Sequence, residues 1–302
     1  MLALTVDPCR VDGLLFSKNK DGMRIPDRFL NCVGFVSQRQ DQPKYVGTAF
    51  IVGVKGKYGN AYLHVITAKH VAEVIQGRSF LIGMNFKDGE AGWFGSSMKW
   101  WYHPTDKSVD AAATVFTPTA RMDMDYIPET AFVTDEVIRR YDIGVGDQLS
   151  IVGLFTQFHG RKKHIPIVRT GNIAMMPSDK IPADDGESEV YLAETRSIGG
   201  LSGSPVFVRH TVRLENLASE DGELQTMSGL GHHHFLGLMR GHWDLPMNLQ
   251  GYQAEAVNMG ISIIVPAKKI LEVLYHPELV ALRARQDQQI SKESLPALDQ
   301  GA

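Results

Sequence analysis

Ser202 sits in GGLSGSPVF (199–207), with glycine at 200 and 203 and an apolar run directly after it. A serine hydroxyl becomes a nucleophile only when a base stands within hydrogen-bond reach and a third group orients that base. Two stretches supply those residue types. YLHVITAKHVAEV (62–74) carries His70 just past a strand-like run, with His64 as a rival in the same run. KSVDAAATVF (107–116) carries Asp110 just before another such run, with Asp106 as a rival. Singly, each has a plainer reading: a turn serine, a strand-end histidine, a strand-start aspartate. Together they supply nucleophile, base and orienting carboxylate. The chain order His, Asp, Ser excludes the α/β-hydrolase arrangement, which needs Ser first and a G-x-S-x-G elbow. Here the second position after Ser202 is Ser204.

Those residues need a scaffold, and the sequence predicts a β scaffold. FLNCVGFVS (29–37), YVGTAFIVGV (45–54), AYLHVITA (61–68), FLIGMNF (80–86), MKWWYH (98–103) and AAATVF (111–116) are rich in β-branched and aromatic residues and are separated by polar or glycine turns. A second set follows: QLSIVGLF (148–155), IPIVRTGNIAMM (165–176), EVYLAET (189–195), SPVFVRH (204–210), HFLGLMRG (234–241) and MGISIIVP (259–266). Between the sets, TDEVIRRY reads as a short helix with Thr134 as its N-cap. Apolar residues at helical spacing predict a helix near 266–275 and a second near 277–286, with DQQISKESLPALDQGA as a loose tail. The expected division is an extension at 1–27, a first β-barrel at 28–117, a linker at 118–146, a second barrel at 147–265, and a helix and tail at 266–302.

Composition excludes several classes. The chain has 302 residues, 43% hydrophobic and 22% charged, with net charge −3. That charge gives no general attraction to nucleic acid or anionic lipid. No apolar run reaches the length of a membrane-spanning helix, and the N-terminus lacks the basic and apolar regions of a signal peptide, so a cytoplasmic protein is expected. Two cysteines, Cys9 and Cys32, allow one bridge but no disulfide framework.

The three blocks resemble those of the chymotrypsin-like (trypsin-fold) serine peptidases. GTAFIV (47–52) with ITAKHV (66–71) is similar to the block that delivers the family's histidine, VDAAATVF (109–116) to its aspartate block, and GGLSGSPVF to its nucleophile block. HFLGLMRG is similar to the strand lining the substrate cleft, and MGISIIVPAKKILEVL to the closing strand and C-terminal helix. The resemblance implies two antiparallel barrels with the site between them. It implies a serine endopeptidase that works through an acyl-enzyme, with Ser202 as nucleophile, His70 as base, Asp110 as orienting group, and the amides of Gly200 and Ser202 as the oxyanion hole. No metal or cofactor is implied, and the partner is a protein or peptide substrate. Arg196 and Arg240 lie where substrate-contacting residues sit in the family. Either would favour an acidic side chain, and an exposed or internally paired arginine is the plainer role. Leu201 stands where zymogen-activated members carry an aspartate, which makes the chain more like bacterial and intracellular relatives. With a helix and a tail after 266, no appended PDZ-like domain is expected.

Other features have structural readings. His232, His233 and His234, with His242 nearby, raise the idea of a metal, but only His232 and His234 would share a strand face. They read as the end of a long loop, 211–233. GRKKH (160–164) reads as a charged hairpin tip, and WFGSSMKWWYH as aromatic packing. The alternative function is a latent or inactive module of the same fold that binds a peptide or partner protein, or that an activating partner switches on.

Overall fold

The strand-like runs pair into two β-systems. The computed structural model describes residues 25–38, 44–75, 80–96, 99–183, 186–195, 200–209, 233–246 and 256–293. In the first half, β1 (Val33–Ser37), β2 (Tyr45–Lys55), β3 (Ala61–Thr67), β4 (Phe80–Asn85), β5 (Ala91–Ser96), β6 (Trp101–Tyr102) and β7 (Ala112–Val115) lie in the order β5-β4-β1-β2-β3-β7-β6. β8 (Ile127–Pro128) pairs in parallel with β2, completing an eight-stranded sheet. The second half is a closed barrel. Its strands are β9 (Gln148–Gly153), β10 (Ile167–Met175), β13 (Tyr191–Glu194), β14 (Pro205–Arg209), β15 (His233–Pro246) and β16 (Ala256–Pro266), in the order β10-β13-β16-β15-β14-β9. The fold is thus mostly β, as expected. The barrel closes in the second half, while the path of the first runs from β5 to β6 with no pairing between them among the described residues.

β2 is buried at every position from Gly47 to Val54. A strand with both faces covered reads as a continuous apolar run rather than an alternating one, and AFIVGV is that run. One face of the seam between the halves is aromatic. Phe29 stacks on Phe207 at 3.8 Å and 9°, Phe207 meets Phe235 at 6.0 Å, and Phe235 meets both Phe50 at 5.3 Å and Phe132 at 4.5 Å. Such pairs contribute roughly 0.5–1.5 kcal/mol each beyond their buried area. They join β2 and the approach to β1 with β14 and β15.

One strand expectation and one helix expectation change in detail. Residues 29–31 belong to a short helix, α1 (Asp27–Asn31), with Pro26 at its N-cap and Cys32 N donating to Arg28 O. β1 therefore begins at Val33. The helix α3 (Asp135–Tyr141) forms as read, and Thr134 Oγ1 accepts from Val137 N. α4 (Ala267–Leu274) buries Ala267, Ile270, Val273 and Leu274 along one face. α5 runs over Pro277–Glu293, beyond the expected end, so the first seven residues read as tail are helical. Gln, Lys and Glu are good helix formers, and Tyr62 Oη donates to Asp287 at 2.6 Å, tying that segment to β3. The hairpin of β11 (Lys180–Ala183) and β12 (Gly186–Glu189) was not anticipated. Cys32 is buried and its Sγ donates to Phe29 O at 3.4 Å, while Cys9 lies outside the described residues. No helix among the described residues is long and apolar enough to cross a membrane.

Two imidazoles are buried within this framework. His64, on β3, donates from Nδ1 to Tyr62 O (3.0 Å), which leaves Nε2 to accept from Arg283 Nη1 on α5 (3.3 Å). That assignment needs a neutral ring. Burial first, and the Arg283 charge second, push its pKa down to about 4. His164 packs against Phe35 and Trp93, and burial likewise pushes it down to about 4. The same groups in the unfolded chain take a proton near 6.5. The unfolded chain therefore holds more protons between those values, and stability falls as pH drops through that window, by on the order of 3 kcal/mol per ring. Denaturant melts of the wild-type chain are expected to weaken from pH 6.5 to 4. His64→Gln should show a shallower loss across the same window, whatever its stability at neutral pH, and an equal slope would place the acid sensitivity elsewhere.

Candidate active site

The register of the first sheet brings His70 and Asp110 to one end. Thr67 on β3 faces Ala112 on β7. The residues just past Thr67 and just before Ala112 therefore meet. Past Thr67 the chain turns into α2 (Lys69–Ile75), with His70 in its first turn. The opening amides of a helix have no partner within it. Asp110 supplies one: its Oδ1 accepts from His70 N at 3.0 Å, while its Oδ2 accepts from His70 Nδ1 at 2.8 Å. One carboxylate thus caps α2 and orients the imidazole. With Nδ1 donating, Nε2 carries the lone pair. The His70 side chain is 50% exposed and that of Asp110 10%, so the ring reaches solvent while its partner stays covered.

The rivals occupy other places. His64 is committed to Tyr62 and Arg283. Asp106 caps its own loop: Oδ1 accepts from Ser108 N (3.0 Å) and from Ser108 Oγ (2.7 Å). That turn holds the approach to Asp110, and Ser188 Oγ on β12 donates to Ser108 O from the other half.

The Ser202 turn comes from the second half and docks on the first through Thr48. Thr48 N donates to Ser202 O (2.8 Å), Thr48 Oγ1 donates to Gly200 O (2.8 Å), and Leu154 N donates to Thr48 Oγ1 (3.0 Å). Thr48 O in turn accepts from Thr67 Oγ1 (2.7 Å). Gly200 and Gly203 have φ of +99° and +86°, the region that favours glycine. A Cβ on Gly203 would lie 2.1 Å from Thr48 O and 3.2 Å from Ala68 N. A Cβ on Gly47 would lie 2.9 Å from Ser202 O and 2.8 Å from Val71 Cγ2. The turn therefore abuts Ala68, two residues before His70, and Gly47 lies against both Ser202 O and Val71, one residue after His70. Leu201 is fully buried in the core of the second half and anchors the turn from behind.

Two amides of the turn are used: Gly203 N donates to Met239 O and Ser204 N to Leu201 O. Among the described residues, the amides of Gly200 and Ser202 meet no acceptor, and no hydrogen bond joins Ser202 Oγ to His70 Nε2. Arg240, on β15, has Nε 3.8 Å from Asp110 Oδ2, so it engages the carboxylate that holds His70. Arg196 and His232 lie outside the described residues. His234 packs on Tyr141 at 4.6 Å and His233 meets Phe29 edge-on at 5.5 Å. Thr48 was missed from sequence as a site residue. Its one signal is a hydroxyl at the head of the apolar run AFIVGV.

No family model matches the chain, and no curated protein matches it. Solved structures do. The MamO protease domain from Magnetospirillum magneticum in its apo form is 13% identical with a TM-score of 0.48, over 81% of this chain and 96% of that one. Deg5 gives 13% and 0.48, over 81% and 88%. The Rv3671c protease from M. tuberculosis in its active form gives 13% and 0.43, over 82% and 81%. With identities this low and TM-scores below 0.5, these likenesses carry no weight for the site, whose reading rests on the chain's own geometry.

Thr48→Val removes one hydroxyl and keeps the shape. It leaves the buried Leu154 N and the part-buried Gly200 O without their partner, and a buried orphan costs about 1–3 kcal/mol. Thermal melts are expected to show a clear fall in Tm. An unchanged Tm would mean that the Gly200–Ser202 turn does not depend on Thr48.

Proposed function

We propose that the chain is a serine endopeptidase acting through an acyl-enzyme. The observation that carries this reading is the Asp110–His70 pair. A covered carboxylate holds Nδ1–H of a half-exposed imidazole and leaves Nε2 as a base beside the Ser202 turn. In this reading Ser202 Oγ attacks the scissile carbonyl as His70 Nε2 takes its proton. Asp110 stabilises the imidazolium without itself being protonated. The amides of Gly200 and Ser202 donate to the developing oxyanion, a contribution typically worth 10²–10³-fold in rate per donor. His70 then protonates the leaving amine. Water repeats the sequence on the ester and frees Ser202.

One observation favours a second reading. The Ser202–His70 hydrogen bond is unformed, which also fits a latent form of the same fold whose partner brings the two residues together. In unliganded sites this bond is commonly long and tightens on the substrate, so the peptidase reading stands first.

A fluorophosphonate probe reacts only where serine, base and oxyanion donors are assembled. The purified chain is expected to label, and Ser202→Ala to lose labelling altogether while melting as the parent does. His70→Ala and Asp110→Asn should slow peptide turnover by on the order of 10⁴-fold or more. Near-full rate in Asp110→Asn would remove the carboxylate from the mechanism. A folded wild-type chain that stays unlabelled would favour the latent reading.

A further inference from the structure

β15 carries a bulge where it passes the site. Met239 pairs with Ile264 and Gly241 with Ile263, so Arg240 is passed over in the register with β16. On the other side of β15, pairing with β14 ends at Leu238, and Met239 then exchanges hydrogen bonds with Gly203 and Ser204. A bulge leaves one residue unpaired and re-aims its side chain. Here the re-aimed side chain is an arginine, 20% exposed, whose Nε stands 3.8 Å from Asp110 Oδ2 across the seam between the halves. A cation so far removed from water is costly unless a counter-charge meets it, and among the described residues Asp110 is a carboxylate within ion-pair reach. The separation is longer than a hydrogen bond, so the interaction is one of charge rather than of a fitted fork.

We infer that Arg240 is a positioning residue: its charge holds the Asp110 carboxylate in the orientation that captures both His70 N and His70 Nδ1. Among the described residues, Oδ2 meets the imidazole N–H at 2.8 Å and the guanidinium at 3.8 Å. Both must stay on that oxygen for Oδ1 to keep capping α2. Arg240 comes from the barrel that carries Ser202, so it also ties the orienting pair of one half to the nucleophile strand system of the other. It acts through Asp110, and this inference rests on the peptidase reading only for its kinetic readout.

The test compares wild type, Arg240→Met and Arg240→Lys, each checked for an unchanged melt. In peptide turnover, Arg240→Met is expected to lower kcat by roughly tenfold with KM unchanged. Arg240→Lys should recover most of the loss, because a charge suffices. In proton NMR, the downfield His70 Nδ1–H signal should shift or broaden in Arg240→Met and return in Arg240→Lys. A rise in KM confined to peptides bearing Asp or Glu, with kcat intact, would overturn the inference and make Arg240 a substrate contact. Unchanged kinetics and an unchanged Nδ1–H signal would overturn it as well. If the wild-type chain neither labels nor turns over peptide, the peptidase reading fails, and the NMR comparison decides the role of Arg240 by itself. A signal that moves in Met and returns in Lys supports it, and an unmoved signal overturns it.

Discussion

Thr48 is the point on which the site depends. Its amide and hydroxyl hold the carbonyls of Ser202 and Gly200, its hydroxyl accepts from Leu154, and its carbonyl accepts from Thr67. One residue at the head of β2 thus joins the Ser202 turn, the end of β9 and the strand that leads to His70. The bonds to Leu154 and Thr67 are buried, where an unmet polar group is costly and a met one is rigid, and the bond to Gly200 is part-buried. Gly47 and Gly203 permit the approach, since a Cβ at either would run into the opposing backbone. The polar hub and the two glycines therefore form a single device. The hydroxyl supplies direction, and the missing side chains supply distance.

Asp110 shows the same economy on the other side. A helix of seven residues is marginal by itself, and α2 is that short. The carboxylate that orients His70 also takes up the amide of that residue. Helix start and imidazole orientation are set together, so one cannot drift without the other. Around them the charge is arranged with little waste. Arg240 lies against the carboxylate, and Asp106 is spent on its own turn.

What was legible in the sequence was local. The strand runs, the Thr134 cap, the apolar face of α4 and the glycine-flanked Ser202 all announce themselves within a few residues. His70 and Asp110 were legible because each abuts a strand run, and the sheet register later explains why those two ends meet. What escaped was set by distant partners. Thr48 reads as one more β residue until Gly200, 152 positions away, is placed beside it. Arg240 reads as a cleft cation, since a bulge cannot be told from regular pairing by alternation alone. α5 outran its expected end because Asp287 finds Tyr62 on β3, and FLN turned helical because Pro26 and Asp27 favour a helix start.

The division of labour between the halves also explains the open Ser202–His70 contact. The His70–Asp110 bond lies within one half, where the β3–β7 register and the start of α2 fix it. The Ser202–His70 separation spans the seam, so no strand register fixes it directly. It follows from how the barrel sits on the first sheet. That seat has a hydrogen-bonded part at Thr48, an aromatic part from Phe29 to Phe50, and an ionic link at Arg240, which meets Asp110. Aromatic packing is weakly directional, whereas the Thr48 bonds are not. The contact left open is thus the one whose length the fold controls by packing rather than by pairing.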